Sequence, residues 1–240
     1  LPENLNIIDL HFDSKGRLWV ASYGNGLYLI DLRRKRIMHF NAEKYNPKAL
    51  HYNDVLCIYE DYSGTLWFGT DGAGISYYDE YLEKFNSLTN SQTPDEINID
   101  VVRAIAVDNK NRVWIGTSGK GLTQYEPATE RWQTFKVDKS KNTVASDRIM
   151  SLLVDTDDHI WIGTQGGGLS ILNPDGNFSN FSPASNPTLS ANTIWCIHKD
   201  SKNRIWLGTR EQGLVQFDRD KGEMIKYQAS NNGLPSNNIR

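Results

Sequence analysis

The chain has 240 residues, of which 38% are hydrophobic and 11% aromatic, enough to bury a sizeable core. Its 26 Lys and Arg stand against 29 Asp and Glu, and this balance lacks the basic footprint that contact with phosphates requires, which argues against a nucleic-acid binder. The longest apolar runs are a few residues, against the roughly 20 needed to cross a bilayer, and no basic-then-apolar leader opens the chain, so a soluble segment without membrane contact is expected.

From its N-terminus the chain repeats one pattern five times. Tryptophans recur at Trp19, Trp67, Trp114, Trp161 and Trp206. Six residues before each stands an aspartate (Asp13, Asp61, Asp108, Asp155, Asp200), and seven residues after each a glycine (Gly26, Gly74, Gly121, Gly168, Gly213). A further acidic or amide residue follows twelve after each Trp: Asp31, Asp79, Glu126, Asn173 and Asp218. Periods of this size signal repeat architectures. Within a unit the predicted elements are, in order, an apolar strand ending at the Asp, a four-residue turn, and a strand carrying the Trp. Gly-Thr and a three-residue loop follow, then a third strand, a polar turn and a more polar fourth strand. No segment has a sustained helical period.

The second strands, such as Val113, Trp114 and Ile115, are apolar on both faces, so both faces must be covered. Four-stranded sheets of about 47 residues buried on both sides are what radially stacked blades need. The predicted fold is therefore an all-β β-propeller segment of five four-stranded blades over residues 1–240, treated as one domain. The repeats run approximately 5–54, 55–101, 102–148, 149–193 and 194–238. A sixth begins at 239–240, since LPSNNIR restates the opening LPENLNII, and a larger propeller of about seven blades is expected. Cys57 and Cys196 share one inner-strand position with Asp9, Ala104 and Ser151 and read as small packed thiols with no disulfide between them.

The pattern Ile-x-x-Ile-x-x-Asp-x-x-Gly-x-Leu-Trp-Ile-Gly-Thr-x-x-x-Gly-Leu, with its Leu-Pro-x-Asn lead-in, resembles the two-component regulator propeller repeat. Departures are mild: Ala21-Ser22 for Gly-Thr, Asn111 and Asn203 for the turn glycine, and Asp157-Asp158 in the fourth unit. The resemblance implies a periplasmic, non-catalytic sensor region of a hybrid two-component regulator, in a family many of whose members respond to glycan breakdown products. It also implies partners: an oligosaccharide, a neighbouring propeller and an immunoglobulin-like domain of the same chain, and a second copy in a homodimeric receptor with a histidine kinase beyond the membrane. No cofactor is implied. Propeller lyases that open cyclic peptide antibiotics carry a superficially similar repeat and supply the enzyme alternative; a structural interaction propeller is the other.

Residues repeated in every unit build the scaffold, and the repeated aspartates read as turn-closing Asx groups rather than a carboxylate ring. Function is expected where units differ, on the side where the loop after the second strand and the connection to the next blade emerge together. There the candidate ligand-binding residues are Tyr23, Asn25, Asp71, Lys120, Gln165, Arg210 and Glu211, joined from the longer connections and inner strands by Tyr52, Arg103, Arg148 and Trp195. Aromatic faces stack on sugar CH surfaces, and the amides and charges bond hydroxyls. No nucleophile elbow and no metal-ligand spacing appears: His11, His39, His51, His159 and His198 are scattered, and His11 and His198 share a repeat position that suggests inner-strand packing. The Arg33-Arg34-Lys35-Arg36 run falls in a turn and reads as solvated.

Overall fold

A computed structural model describes residues 1–43, 46, 49–79, 84–218, 221 and 223–240. The side chain of Asp79 and three residues of the last polar turn, 219, 220 and 222, lie outside the described part. Five four-stranded antiparallel sheets follow one another, each with its strands in sequence order. Helix among the described residues is confined to a 3-10 turn, Asn90–Gln92, and one turn, Ala229–Asn232. The second strands are the most buried: every residue of Leu66–Thr70, Val113–Thr117 and Ile160–Thr164 is buried, as two covered faces demand. Fourth strands such as Arg36–Phe40 and Glu223–Tyr227 alternate exposed and half-buried side chains, which is why they tolerate charge.

The repeated aspartate and tryptophan form one clasp. In the first blade Asp13 Oδ1 accepts from the amides of Lys15 (3.1 Å) and Arg17 (2.8 Å), while Oδ2 accepts from Arg17 Nε (2.7 Å) and Trp19 Nε1 (3.0 Å). The indole bond recurs at Trp67, Trp114, Trp161 and Trp206, at 2.8 to 2.9 Å. A turn carboxylate thereby satisfies the polar edge of a ring whose body is buried between blades. The structural reading of the five aspartates holds, with an indole partner that the sequence did not disclose.

Burial works to raise the carboxyls of Asp13 and Asp155, yet the indole, amide and side-chain donors around each hold them below the usual carboxylate range. At Asp200 the Trp206 indole bond is the largest influence and the group lies well below that range. For carboxyls depressed in the folded state, the stabilisation is complete above the unfolded value, about 3.9, and is lost as pH falls through the lower folded values. Urea midpoints should therefore be unaffected by these groups from pH 5 to 8 and fall below about pH 4; a midpoint sustained to pH 2 would contradict the clasp.

The glycine seven residues after each Trp is needed twice over. At Gly168 φ is +78°, and an added Cβ would run into the Phe181 carbonyl oxygen. The preceding hydroxyl closes the same loop, Thr164 Oγ1 donating to Gly168 O at 2.8 Å. Ser22 does this for Gly26 in the first blade, which explains why Ala21-Ser22 is a mild departure.

By internal packing the chain divides into two compact units, 1–106 and 107–240. In the first, Trp19 is wholly buried, stacks on Phe40 (5.8 Å) and meets Phe68 of the second blade at 5.4 Å, in a core with Leu27, Leu29, Val55 and Phe85. In the second, Trp161 meets Phe217 of the fifth blade edge-on at 5.2 Å, among Leu169, Ile194 and Leu207. Each interblade Trp contributes a few kcal/mol at about 25 cal/mol per Å² of buried apolar surface. Blades also approach through a glycine two residues after the Trp: a Cβ on Gly69 would lie 2.9 Å from Val102 O, and one on Gly208 3.0 Å from Ile239 O. Ile239 thus takes the place that Ile194 takes over Gly163.

Inner strands carry a bulge after their first residue, between Ile7 and Asp9, Val55 and Cys57, Ile149 and Ser151, and Ile194 and Cys196. Both cysteines are free. Burial, and after it the neighbouring Asp9, pushes the Cys57 thiol up to about 12, so it is an inert packed group. One expectation is corrected in part: both histidines lie on inner strands, but only His11 is half-buried, with Nε2 3.3 Å from Glu60 Oε2 of the next blade, whereas His198 is exposed.

Candidate functional site

Backbone bonding brings the two loop classes to one edge of each blade. The amide of Tyr23 donates to Asn6 O (2.9 Å), that of Asp71 to Asp54 O (2.9 Å), that of Gln165 to Arg148 O (2.9 Å) and that of Arg210 to Thr193 O (3.1 Å). Each of these loops is therefore sewn to the segment that leads into its own blade's inner strand, and the amides of Gly26, Gly72 and Gly166 donate onward to Asn53 O, Asp100 O and Asn192 O in the connection to the next blade. Rigid sheets hold these loops, the usual arrangement for a binding face.

In the first unit three of the predicted residues meet. Tyr23 and Tyr52 are exposed, at 44% and 39%. The carboxylates of Asp54 and Asp71 lie near the Tyr23 hydroxyl, and their charges, that of Asp54 first, hold it above the ordinary tyrosine value. The Tyr52 ring lies beside Gly72, with ring atoms 3.8 Å from where a Cβ would stand. Two exposed rings beside two carboxylates offer stacking surfaces and hydroxyl acceptors together. Asn25 stands next to this group, exposed, its carbonyl accepting from His39 Nε2 at 2.7 Å while His39 stacks on Tyr28 at 4.0 Å. Arg103 is placed differently: it lies on the inner strand Val102–Val107, its Nε buried and without a hydrogen-bond partner.

In the second unit the predicted residues form local pairs. Arg148 Nη1 donates to Gln165 Oε1 at 3.3 Å, and the exposed Arg210 and Glu211 pair at 3.3 Å. Trp195 sits at the inner-strand bulge with its Nε1 buried and unpartnered, and the Arg240 guanidinium lies 5.1 Å from its ring centre. Arg240 was missed from sequence, although it holds the position after Ile239 that Trp195 holds after Ile194. Lys120 is exposed, its amide bonding Thr117 Oγ1.

Metal-type spacing absent along the sequence is met once in space among the described residues, where Asp155, Asp157 and His159 bring ligand atoms within 4.8 Å. This is the fourth blade's clasp, with His159 where the first, third and fifth blades have Arg17, Arg112 and Arg204. The Asp155 carboxylate accepts there from the amides of Asp157 and His159 and from Trp161 Nε1.

Blades of this build and a variable loop face define a repeat propeller of the regulator type. The two component regulator propeller pattern matches residues 1–24, 49–72, 96–119, 143–166 and 188–211, together half the chain, and the chain belongs to that family. It is similar to the extracellular domain assigned to the hybrid two component system BT3049 of B. thetaiotaomicron, at 29% identity and TM-score 0.78, covering 98% of this chain and 30% of that one. A B. thetaiotaomicron extracellular domain assigned to the one component system BT4673 shares the fold at 21% identity and TM-score 0.68, over 100% of this chain and 38% of that one. Streptogramin B lyase shares the fold at 15% identity and TM-score 0.72, over 96% of this chain and 70% of that one. The chain thus spans about a third of the two regulator domains. No curated protein matches it.

Proposed function

We propose that these five blades are a non-catalytic, extracytoplasmic part of a sensor, presenting the loop face to a glycan-derived oligosaccharide and passing the event toward a histidine kinase. The observation that carries this reading is the Tyr23, Tyr52, Asp54 and Asp71 group in a chain of the regulator propeller family. Periplasmic location, a homodimeric receptor, and contacts with a neighbouring propeller and an immunoglobulin-like domain belong to the same proposal. A larger propeller of about seven blades accords with the inner strand Ile7–Phe12. Its Ile8, Leu10 and Phe12 are exposed, whereas Leu56 and Ile58 at the first two of these positions are buried in the next blade.

The test is calorimetric titration of the full chain with glycan-derived oligosaccharides, the products read by mass spectrometry. Binding without conversion is expected, weakened about 10- to 100-fold by Tyr23→Ala or Asp71→Ala, as loss of a stacking ring or a charged acceptor implies. Conversion would place the protein with the propeller lyases. Folded protein that binds none of them would leave a docking surface or spacer.

A further inference from the structure

We propose that the groove between the outer parts of the third and fourth blades, in the second unit, is a separate binding site for a single uncharged, hydroxylated ring of pyranose size. It shares the ligand class of the function proposed above but not its location. The floor is apolar: Trp114, Ile160 and Leu172 are buried, and Phe135 stacks on Trp114 at 5.9 Å. Around it the rim is polar, with Gln124 and Gln133 on one side and Asp158 and Asn173 on the other. The cavity of about 240 Å³ lies just below the range of drug-sized ligand pockets, about 300 Å³ upward, so it fits one ring rather than a chain.

The repeat itself singles out this place. In every blade the Trp has one cross-strand neighbour on the third strand and, beyond it, one on the fourth. These are Leu29 and Met38 in the first blade, Tyr77 and Asn86 in the second, Ile171 and Ser179 in the fourth, and Gln216 and Ile225 in the fifth. The third blade alone has carboxamides at both, Gln124 and Gln133. In the first blade Leu29 and Met38 fill the interblade core, whereas here the same positions open onto a groove.

The chemistry of the rim follows from a fixed cation. Arg112 Nε is held on Asp108 Oδ2 at 2.6 Å, with its guanidinium 5.6 Å from the Trp114 ring centre. With its amide oxygen turned to that guanidinium, Gln124 accepts at 3.0 and 3.1 Å, which leaves its NH₂ as a donor for a ligand. Gln133 adds a donor and an acceptor, and Lys110 and Asp158 balance in charge. An apolar floor under mixed donors and acceptors suits a ring with one CH face and a hydroxyl edge, and the balanced charge favours a neutral one.

Saturation-transfer NMR and tryptophan-fluorescence titration of the full chain test this with methyl glycosides of glucose, galactose, mannose and N-acetylglucosamine, and with methyl galacturonoside as the charged comparison. At least one neutral glycoside should bind, more tightly than the galacturonoside. The pair Gln124→Leu with Gln133→Met installs the first blade's residues, and should weaken binding at least tenfold with the melting temperature unchanged or raised. Gln133→Ala, at an exposed site, should weaken it without touching the fold, and Tyr23→Ala should leave it as it is. Binding indifferent to both groove changes, preference for the galacturonoside, or no transfer from any neutral glycoside would overturn the site. Binding lost only with Tyr23→Ala would uphold the loop-face reading while removing this one.

Discussion

Replacing Asp13 with alanine is expected to cost about 3 to 5 kcal/mol of stability, among the largest losses available to a single side chain at a turn. The substitution strips the Trp19 indole N–H of its acceptor inside a wholly buried site, and it unseats the amides of Lys15 and Arg17 and the Arg17 guanidinium together. A buried donor left unmet costs about 1 to 3 kcal/mol alone, and the charge-assisted turn bonds supply the rest. Asp13→Asn keeps one acceptor for the turn amides but loses the charge facing Arg17, and should cost about half as much. Urea denaturation at pH 7 checks both; a loss below about 1 kcal/mol for the alanine variant would mean that the carboxylate does not hold the turn.

Two glycines two residues apart give the second large effect. Gly168→Ala should cost about 3 to 5 kcal/mol or prevent folding, because it combines a left-handed φ of +78° with a methyl driven into the Phe181 carbonyl, a backbone atom that cannot swing aside. Gly166→Ala meets no atom within 4 Å at φ +94°, and should cost about 1 kcal/mol from backbone strain alone. Comparing the two by thermal and urea denaturation separates conformation from close approach. Equal losses would show that positive φ, not the carbonyl, sets the requirement.

The scaffold was legible in the sequence because its constraints repeat. Asp13, Trp19 and Gly26 mark the same three tasks in every unit, and strand order, the buried second strand and the loop side follow from them. What the repeat could not disclose was which side chains close on one another across blades. Tyr23, Tyr52 and Asp71 stand far apart along the chain and meet only because loops from two blades are bonded to a shared connection. Their position near the strand tops places Trp195 and Arg103 among ligand-facing residues, yet the bulge between Ile194 and Cys196 turns the Trp195 indole nitrogen into buried surroundings, and the Arg103 Nε is buried as well. The Gln124 and Gln133 pair was visible only as polar letters until the register set both beside Trp114. Polarity in a sequence does not tell an outer rim from an interblade groove.

The close approach at Gly69 in one unit, and at Gly163 and Gly208 in the other, has a mechanical result. Where a second strand leaves no room for a methyl group against the residue that begins the next blade, neighbouring blades there have one spacing and no slip between them. A displacement applied to one blade there cannot be absorbed by shear against the blade beside it. Within a unit, blades held in this way move together, so a displacement at one reaches its neighbour undiminished.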